Sequence, residues 1–148
     1  LKQEVIMKNK NFKTGWLVEN KLAALTHFHS NISLEDIQGV LQETTQMISN
    51  LKEPFNIIID NRLAPIDRIF SLREFQSSSS LLNHSLLNYL IVIKPLHLTL
   101  NERQKELEIS NGVKLINTDS VKSAIKIVKG VEKDIQSEKI DLTFFPDF

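Results

Sequence analysis

The chain reads as a single α/β domain, with a mixed, mostly parallel sheet of about four or five strands and helices packed chiefly on one face. Three observations predict it. Residues 15–28 alternate apolar and polar side chains across a short polar turn, the mark of a β-hairpin. Residues 34–51 carry an apolar stripe at helical spacing. Phe55–Asp60 is a short β-branched run of the kind buried on both sides in a parallel sheet, and further helical and apolar segments alternate after it. At 148 residues the chain is long enough to bury one sizeable core.

Each element has its own local cause. In the hairpin, Trp16, Val18, Leu22, Ala24, Thr26 and Phe28 hold the period-two signal on either side of Glu19-Asn20. Ser33 is the expected cap of the first helix, with Asp36 imitating a capping box. Leu34, Ile37, Val40, Leu41, Thr44, Met47, Ile48 and Leu51 form its inward stripe, and Pro54 stops it. Residues 61–70 form an irregular connection containing Pro65. Ser71-Leu72-Arg73-Glu74 has the full Ser-x-x-Glu capping pattern and opens a second helix with Leu72, Phe75 and Leu82 inward. The serine run 77–80 within it is a poor helix former, either tolerated surface or a place of close approach or modification. Residues 86–93 return as a buried strand closed by Pro95. Residues 99–109 read as a charged helix ended by Asn111-Gly112. Residues 113–116 form the last strand, and Thr118 or Asp119 caps a helix with Val121, Ala124, Ile125 and Val128 inward, ended or kinked at Gly130. The resulting division is a loosely attached polar segment 1–13, a domain 14–130, and an extension 131–148 with an aromatic tail. Because the chain opens on Leu1, both a fragment and a natural start at Met7 stay open.

Composition removes several function classes. Lysine plus arginine equals aspartate plus glutamate at 18 each, so no overall field recruits nucleic acid or an anionic membrane. The absence of cysteine excludes thiol catalysis, disulfides and thiolate-held metals, and fits a reducing cytoplasm, the expected location. No apolar run approaches the roughly 20 residues of a membrane span. The four glycines never cluster, so there is no phosphate-cradling loop or dinucleotide fingerprint, and no nucleophile elbow is present. Lys122, Lys126, Lys129 and Lys133 line the last helix, but Glu132 and Asp134 interrupt them, as on a solvated face.

With the elements in this order, the chain resembles the STAS family, the domains typified by bacterial anti-sigma-factor antagonists, over about residues 15–130. The carriers are Gly15-Trp16-Leu17-Val18-Glu19, Ile32-Ser33-Leu34-Glu35-Asp36-Ile37, Ile57-Ile58-Ile59-Asp60, Ser71-Leu72-Arg73-Glu74 and Asn117-Thr118-Asp119-Ser120-Val121. The resemblance implies a mixed sheet with helices mainly on one side and a non-enzymatic regulatory or scaffolding role through protein contacts, self-association as a homodimer included. It also places a phosphorylated serine after the central strand in the regulatory members. Here that stretch reads Ile66-Asp67-Arg68-Ile69-Phe70-Ser71, without the serine pair and glycine of the family motif. Ser71 is therefore a helix cap first and a candidate phosphosite second, with Arg68 and Arg73 placed to pair with an added phosphate.

The remaining candidates follow from residue type and place. Asp60 stands at the carboxyl end of the central strand, where open α/β sheets put ligands, and forms either a polar crevice with Arg62 and Asp67 or a turn that satisfies loop amides. His27 and His29 share a strand face as two parts of a metal site that needs a third ligand from His84, His97 or a carboxylate. No metal or other cofactor is expected. An enzyme reading requires Asp60, Asp67 and His27 to converge. Phe144, Phe145 and Phe148 either fold back on the sheet or insert into another subunit, so with Asp60, Arg62, Asp67, Arg68 and Arg73 they make up the expected partner or ligand surface. The alternative function is a small-molecule or lipid carrier, because STAS domains share a related sheet topology with CRAL-TRIO lipid carriers. It calls for an apolar cavity between Leu72, Phe75, Leu82 and the strand 86–93.

Overall fold

A computed structural model of the chain describes residues 6–8, 12–28, 34–63, 84–95, 106–108 and 112–146. Five longer strands make the body of the sheet: β2 (Phe12–Val18), β3 (Leu22–His27), β4 (Phe55–Asp60), β5 (Leu87–Ile93) and β7 (Lys114–Thr118). Three-residue strands β1 (Ile6–Lys8) and β6 (Glu106–Glu108) extend the two edges. The spatial order is β1-β2-β3-β4-β5-β7-β6. Strands β3, β4, β5 and β7 run parallel, and the edge pairings and the β2–β3 hairpin are antiparallel. The mixed, mostly parallel α/β sheet is thus as expected, with the short edges added.

The hairpin closes where the sequence places it. Lys21 N–H donates to Val18 O at 3.0 Å, and Asn20 takes a positive φ of 65°, a conformation asparagine tolerates better than most residues. The strand nevertheless starts earlier than residue 15: Phe12 is 1% exposed and belongs to the core. Residues 6–8 and 12–13, expected in a loose polar segment, are therefore part of the sheet. At the β4–β5 register shift, the Asn56 side chain accepts the Tyr89 N–H at 3.1 Å, which satisfies an amide the ladder skips.

The pleat sorts the strand residues into two cores. On one face Ala23, Leu25, Ile57, Ile59, Leu90 and Val92 pack with Phe12 and with Val40 and Ile48 at helix α1 (Leu34–Met47) and its end. A Cβ on Gly39 would stand 3.4 Å from Phe12 Cζ, so α1 settles directly over that ring. On the other face Leu22, Ala24, Ile58, Ile91 and Ile93 pack with Ala124, Ile125 and Val128 of helix α2 (Val121–Val131), and with Ile135, Ile140, Phe144 and Phe145 beyond it. Among the described residues one helix lies on each face, which corrects the expectation of helices chiefly on one face. The chain reaches its last parallel strand at β7, beside the edge, and α2 returns over β4 and β5 on the uncovered side.

Three local expectations also change. Glu106–Glu108, read as part of a charged helix, pairs antiparallel with β7, because an open ladder edge offers backbone partners that override a pattern of charges. Strand β7 runs on to Thr118, where Lys94 N–H finds the Thr118 carbonyl at 2.8 Å, so the cap of α2 falls on Ser120, which accepts from Ser123 N–H at 3.0 Å. Helix α2 passes through Gly130 and ends at Val131. Ser33, the serine run 77–80 and the expected second helix lie outside the described residues.

The tail belongs to this chain's own core. After α2 come two single 3-10 turns, Ser137–Lys139 and Leu142–Phe144, the second capped by the Asp141 carboxylate on Thr143 N–H at 3.0 Å. Lys13 Nζ donates to Phe144 O at 3.2 Å and stands 4.3 Å from the centre of the Phe144 ring. Phe144 and Phe145 meet edge to face with centroids 5.2 Å apart. Of the two fates open to the tail, these rings take the intramolecular one. Phe144→Ala is expected to lower the unfolding free energy by about 3–5 kcal/mol, as for other buried phenylalanines. Urea denaturation at several protein concentrations checks this, and a loss under about 1 kcal/mol would contradict the packing.

Candidate functional site

Most of the buried polar side chains among the described residues gather at the carboxyl end of the parallel strands. Parallel pairing puts Thr26 of β3 in register with Asp60 of β4, Asp60 with Ile93, and Ile93 with Thr118. Alternation then turns Thr26 and Asp60 toward the α2 face, in line with Ala24 and Ile58. Asp60 is 1% exposed, and a buried carboxylate in that position requires donors. It has them: Thr26 Oγ1 donates to Oδ2 at 2.8 Å, Arg62 Nε to Oδ1 at 2.9 Å and Arg62 Nη2 to Oδ2 at 2.8 Å. The Arg62 backbone N–H adds a bond to Oδ1 at 3.2 Å. Both readings of Asp60 made from the sequence are thus present at once, the turn that satisfies a loop amide and the pairing with Arg62.

Arg62 reaches further. Its Nη2 also donates to the Pro146 carbonyl at 3.0 Å, so one guanidinium bridges the end of the central strand and the tail 84 residues later. The Arg62 side chain keeps 19% of its surface exposed, which leaves the charged pair at the boundary of the core rather than inside it. Beside it lies an open groove of about 600 Å³, lined by Arg62, Val121, Lys122, Leu142, Thr143, Phe145 and Pro146.

A second polar pair occupies the opposite face of the same edge. His27 and Asn61 each follow a residue of the first cluster, so the pleat points His27 toward α1. His27 Nε2 donates to Asn61 Oδ1 at 3.2 Å, and both residues are buried. Nδ1 of His27 has no hydrogen-bond partner among the described residues. Burial holds the His27 pKa below its ordinary 6.5, opposed by the Asp60 carboxylate, the Asn61 hydrogen bond and Asp36.

The convergence that an enzyme reading requires does not form between the two described members. Asp60 faces α2 and the tail, whereas His27 faces α1. Asp67 lies outside the described residues, as do Arg68, Ser71, Leu72, Arg73, Phe75, Leu82, His29, His97 and Phe148. His84 sits at the opposite end of the strands, with its ring 5.3 Å from that of Phe55 at the start of β4 and its Nδ1 accepting from Leu86 N–H at 3.1 Å. Among the described residues no group of three or more histidines and carboxylates is placed to hold a metal, and no helix is long and apolar enough to cross a membrane. The lysines at 122, 126, 129 and 133 are all exposed, as a solvated helix face requires.

Sequence reasoning found Asp60, Arg62 and His27 but missed Thr26, Asn61 and the Pro146 carbonyl. Register supplies the signal for the first two, because parallel neighbours at strand ends share a row. Nothing local marks Pro146. In comparison with known proteins, no family model, no curated protein and no solved structure matches the chain.

The direction of the His27 shift sets a pH dependence. Above pH 6.5 the ring is neutral in folded and unfolded chains alike, and its contribution is complete. As pH falls below 6.5 the unfolded chain takes up the proton first, so stability declines until the lower folded pKa is passed. His27→Gln removes this term. Urea midpoints between about pH 8 and 5 are expected to fall faster for the natural chain than for the variant, by at most about 1.4 kcal/mol per pH unit. Parallel curves would contradict the assignment.

Proposed function

We propose that the chain is a STAS-like regulatory or scaffolding module that works through contacts with protein, a second copy of itself included, and carries out no chemistry. The observation that carries this reading is the state of Asp60. Both its oxygens are taken, by Thr26 and by the backbone and guanidinium of Arg62. A general acid or base must reach a substrate proton, and a buried carboxylate held by four donors serves the architecture instead. The order of hairpin, helix and parallel strands, together with the motif fragments from Gly15-Trp16 to Asn117-Thr118, supports the family assignment.

The contact surface in this proposal begins at Arg62 and continues into the connection that holds Asp67, Arg68, Ser71 and Arg73. Ser71 is the position at which phosphate would act, with Arg68 and Arg73 as its partners. Affinity capture from a lysate of the cells that make the protein, read by mass spectrometry with phosphosite mapping, tests the proposal. The expected result is one protein species, or the chain itself, captured in near-stoichiometric amount and reduced at least about fivefold when Arg68 and Arg73 are both replaced by glutamate. Absence of any protein above background, with the chain sedimenting as a monomer, would overturn it.

A further inference from the structure

We infer that the groove between the start of α2 and the C-terminal tail receives a short segment of a partner protein that carries an acidic side chain next to a large apolar one. This rests on the partner-binding reading above and gives it a site and a chemistry. The groove has an apolar floor and a cationic rim. Val121, Leu142, Phe145 and Pro146 supply the apolar surface, and Arg62 and Lys122 are its charged residues, with no carboxylate among the described residues of the lining. Leu142 is 51% exposed, the one large apolar side chain left exposed among the described residues.

Two features of the fold produce that patch. The 3-10 turn at Leu142–Phe144 buries Phe144 in the second core and leaves Leu142 outside, beside the partly covered Val121. The neighbouring acid, Asp141, is turned onto the amide and hydroxyl of Thr143, where it caps the turn. Asp60 balances the charge of Arg62, which leaves exposed Lys122 as the attraction for a carboxylate. An isolated exposed leucine is ordinary, but one contiguous with a proline, a phenylalanine and a valine beside a lysine forms a surface that matches an acidic and apolar segment. The groove is open to solvent rather than enclosed. That shape suits an extended chain, whereas a free small molecule is held by a pocket that encloses most of its surface.

The experiment is selection of random peptides displayed on phage against the full chain, with the double variant Lys122→Glu, Leu142→Asp as the counter-selection. Both positions are exposed, and thermal melting by circular dichroism establishes that the variant keeps its fold. The expected result is enrichment of peptides with aspartate or glutamate next to leucine, isoleucine or phenylalanine. Lys122→Glu alone is expected to weaken the enriched peptides about five- to tenfold, since a weak attraction becomes a repulsion. Peptides that bind the double variant equally well, enrichment of basic sequences, or no enrichment would each overturn the inference. So would binding to phosphatidylglycerol vesicles that depends on Lys122 and Leu142 in place of peptide binding. If lysate capture succeeds and is unchanged by the double variant, the groove assignment falls while the protein-contact reading stands. If the natural chain captures nothing, the reading itself falls.

Discussion

A carboxylate at the end of the central strand organises the functional end of this molecule. Strand β4 is walled on both sides by parallel neighbours and covered on both faces, so Asp60 emerges where water is scarce and its charge needs donors. One comes sideways, from Thr26 in the same row of β3. The others come from the chain itself two residues later, as it turns out of the sheet at Arg62. The guanidinium then has capacity left for the Pro146 carbonyl, and through it the end of the described tail is fixed over the same edge. Burial of one carboxylate thus couples three distant stretches of sequence.

The two faces of the sheet divide the work. The α1 face holds Phe12, Phe55 and the partly buried Trp16, with His27 and Asn61 at its polar edge. The α2 face is closed by a helix of modest length and by a tail with little regular structure of its own. Isolated 3-10 turns are weak, so the tail's position depends on buried side chains (Ile135, Ile140, Phe144 and Phe145) and on two cationic clasps, Lys13 and Arg62. The groove proposed for a partner lies on this lightly built side. A ligand there touches the tail, α2 and Arg62 together, and so bears on the stability of the second core.

What the sequence disclosed follows physical lines. Phe55–Asp60 is legible because a strand buried on both faces has no polar side to confuse its pattern, and the hairpin is legible because Asn20 marks its turn. Helix α1 announces itself through its stripe and Pro54. The second face was illegible because Phe144 and Phe145 carry no periodicity. A tail that folds back and one that inserts into a neighbour have the same composition. Glu106–Glu108 misled for a related reason: pairing at an edge is decided by the neighbouring strand, which local charges do not encode. At the site, Asp60 and Arg62 are two residues apart and could be paired by inspection, whereas Thr26 requires the register and Pro146 requires the whole fold.

The central claim is that Arg62, held by Asp60, fastens the tail to the carboxyl edge of the sheet. Amide hydrogen exchange in the Arg62→Ala variant tests it most directly. Phe144 and Phe145 donate their amides to Asp141 and Leu142 within the last turn, and those amides report whether the turn stays docked. The account predicts that their exchange accelerates at least about tenfold, and by a larger factor than that of the β4 amides, because the tail opens without the sheet. Unchanged exchange at Phe144 and Phe145, or equal acceleration at both places, would contradict it.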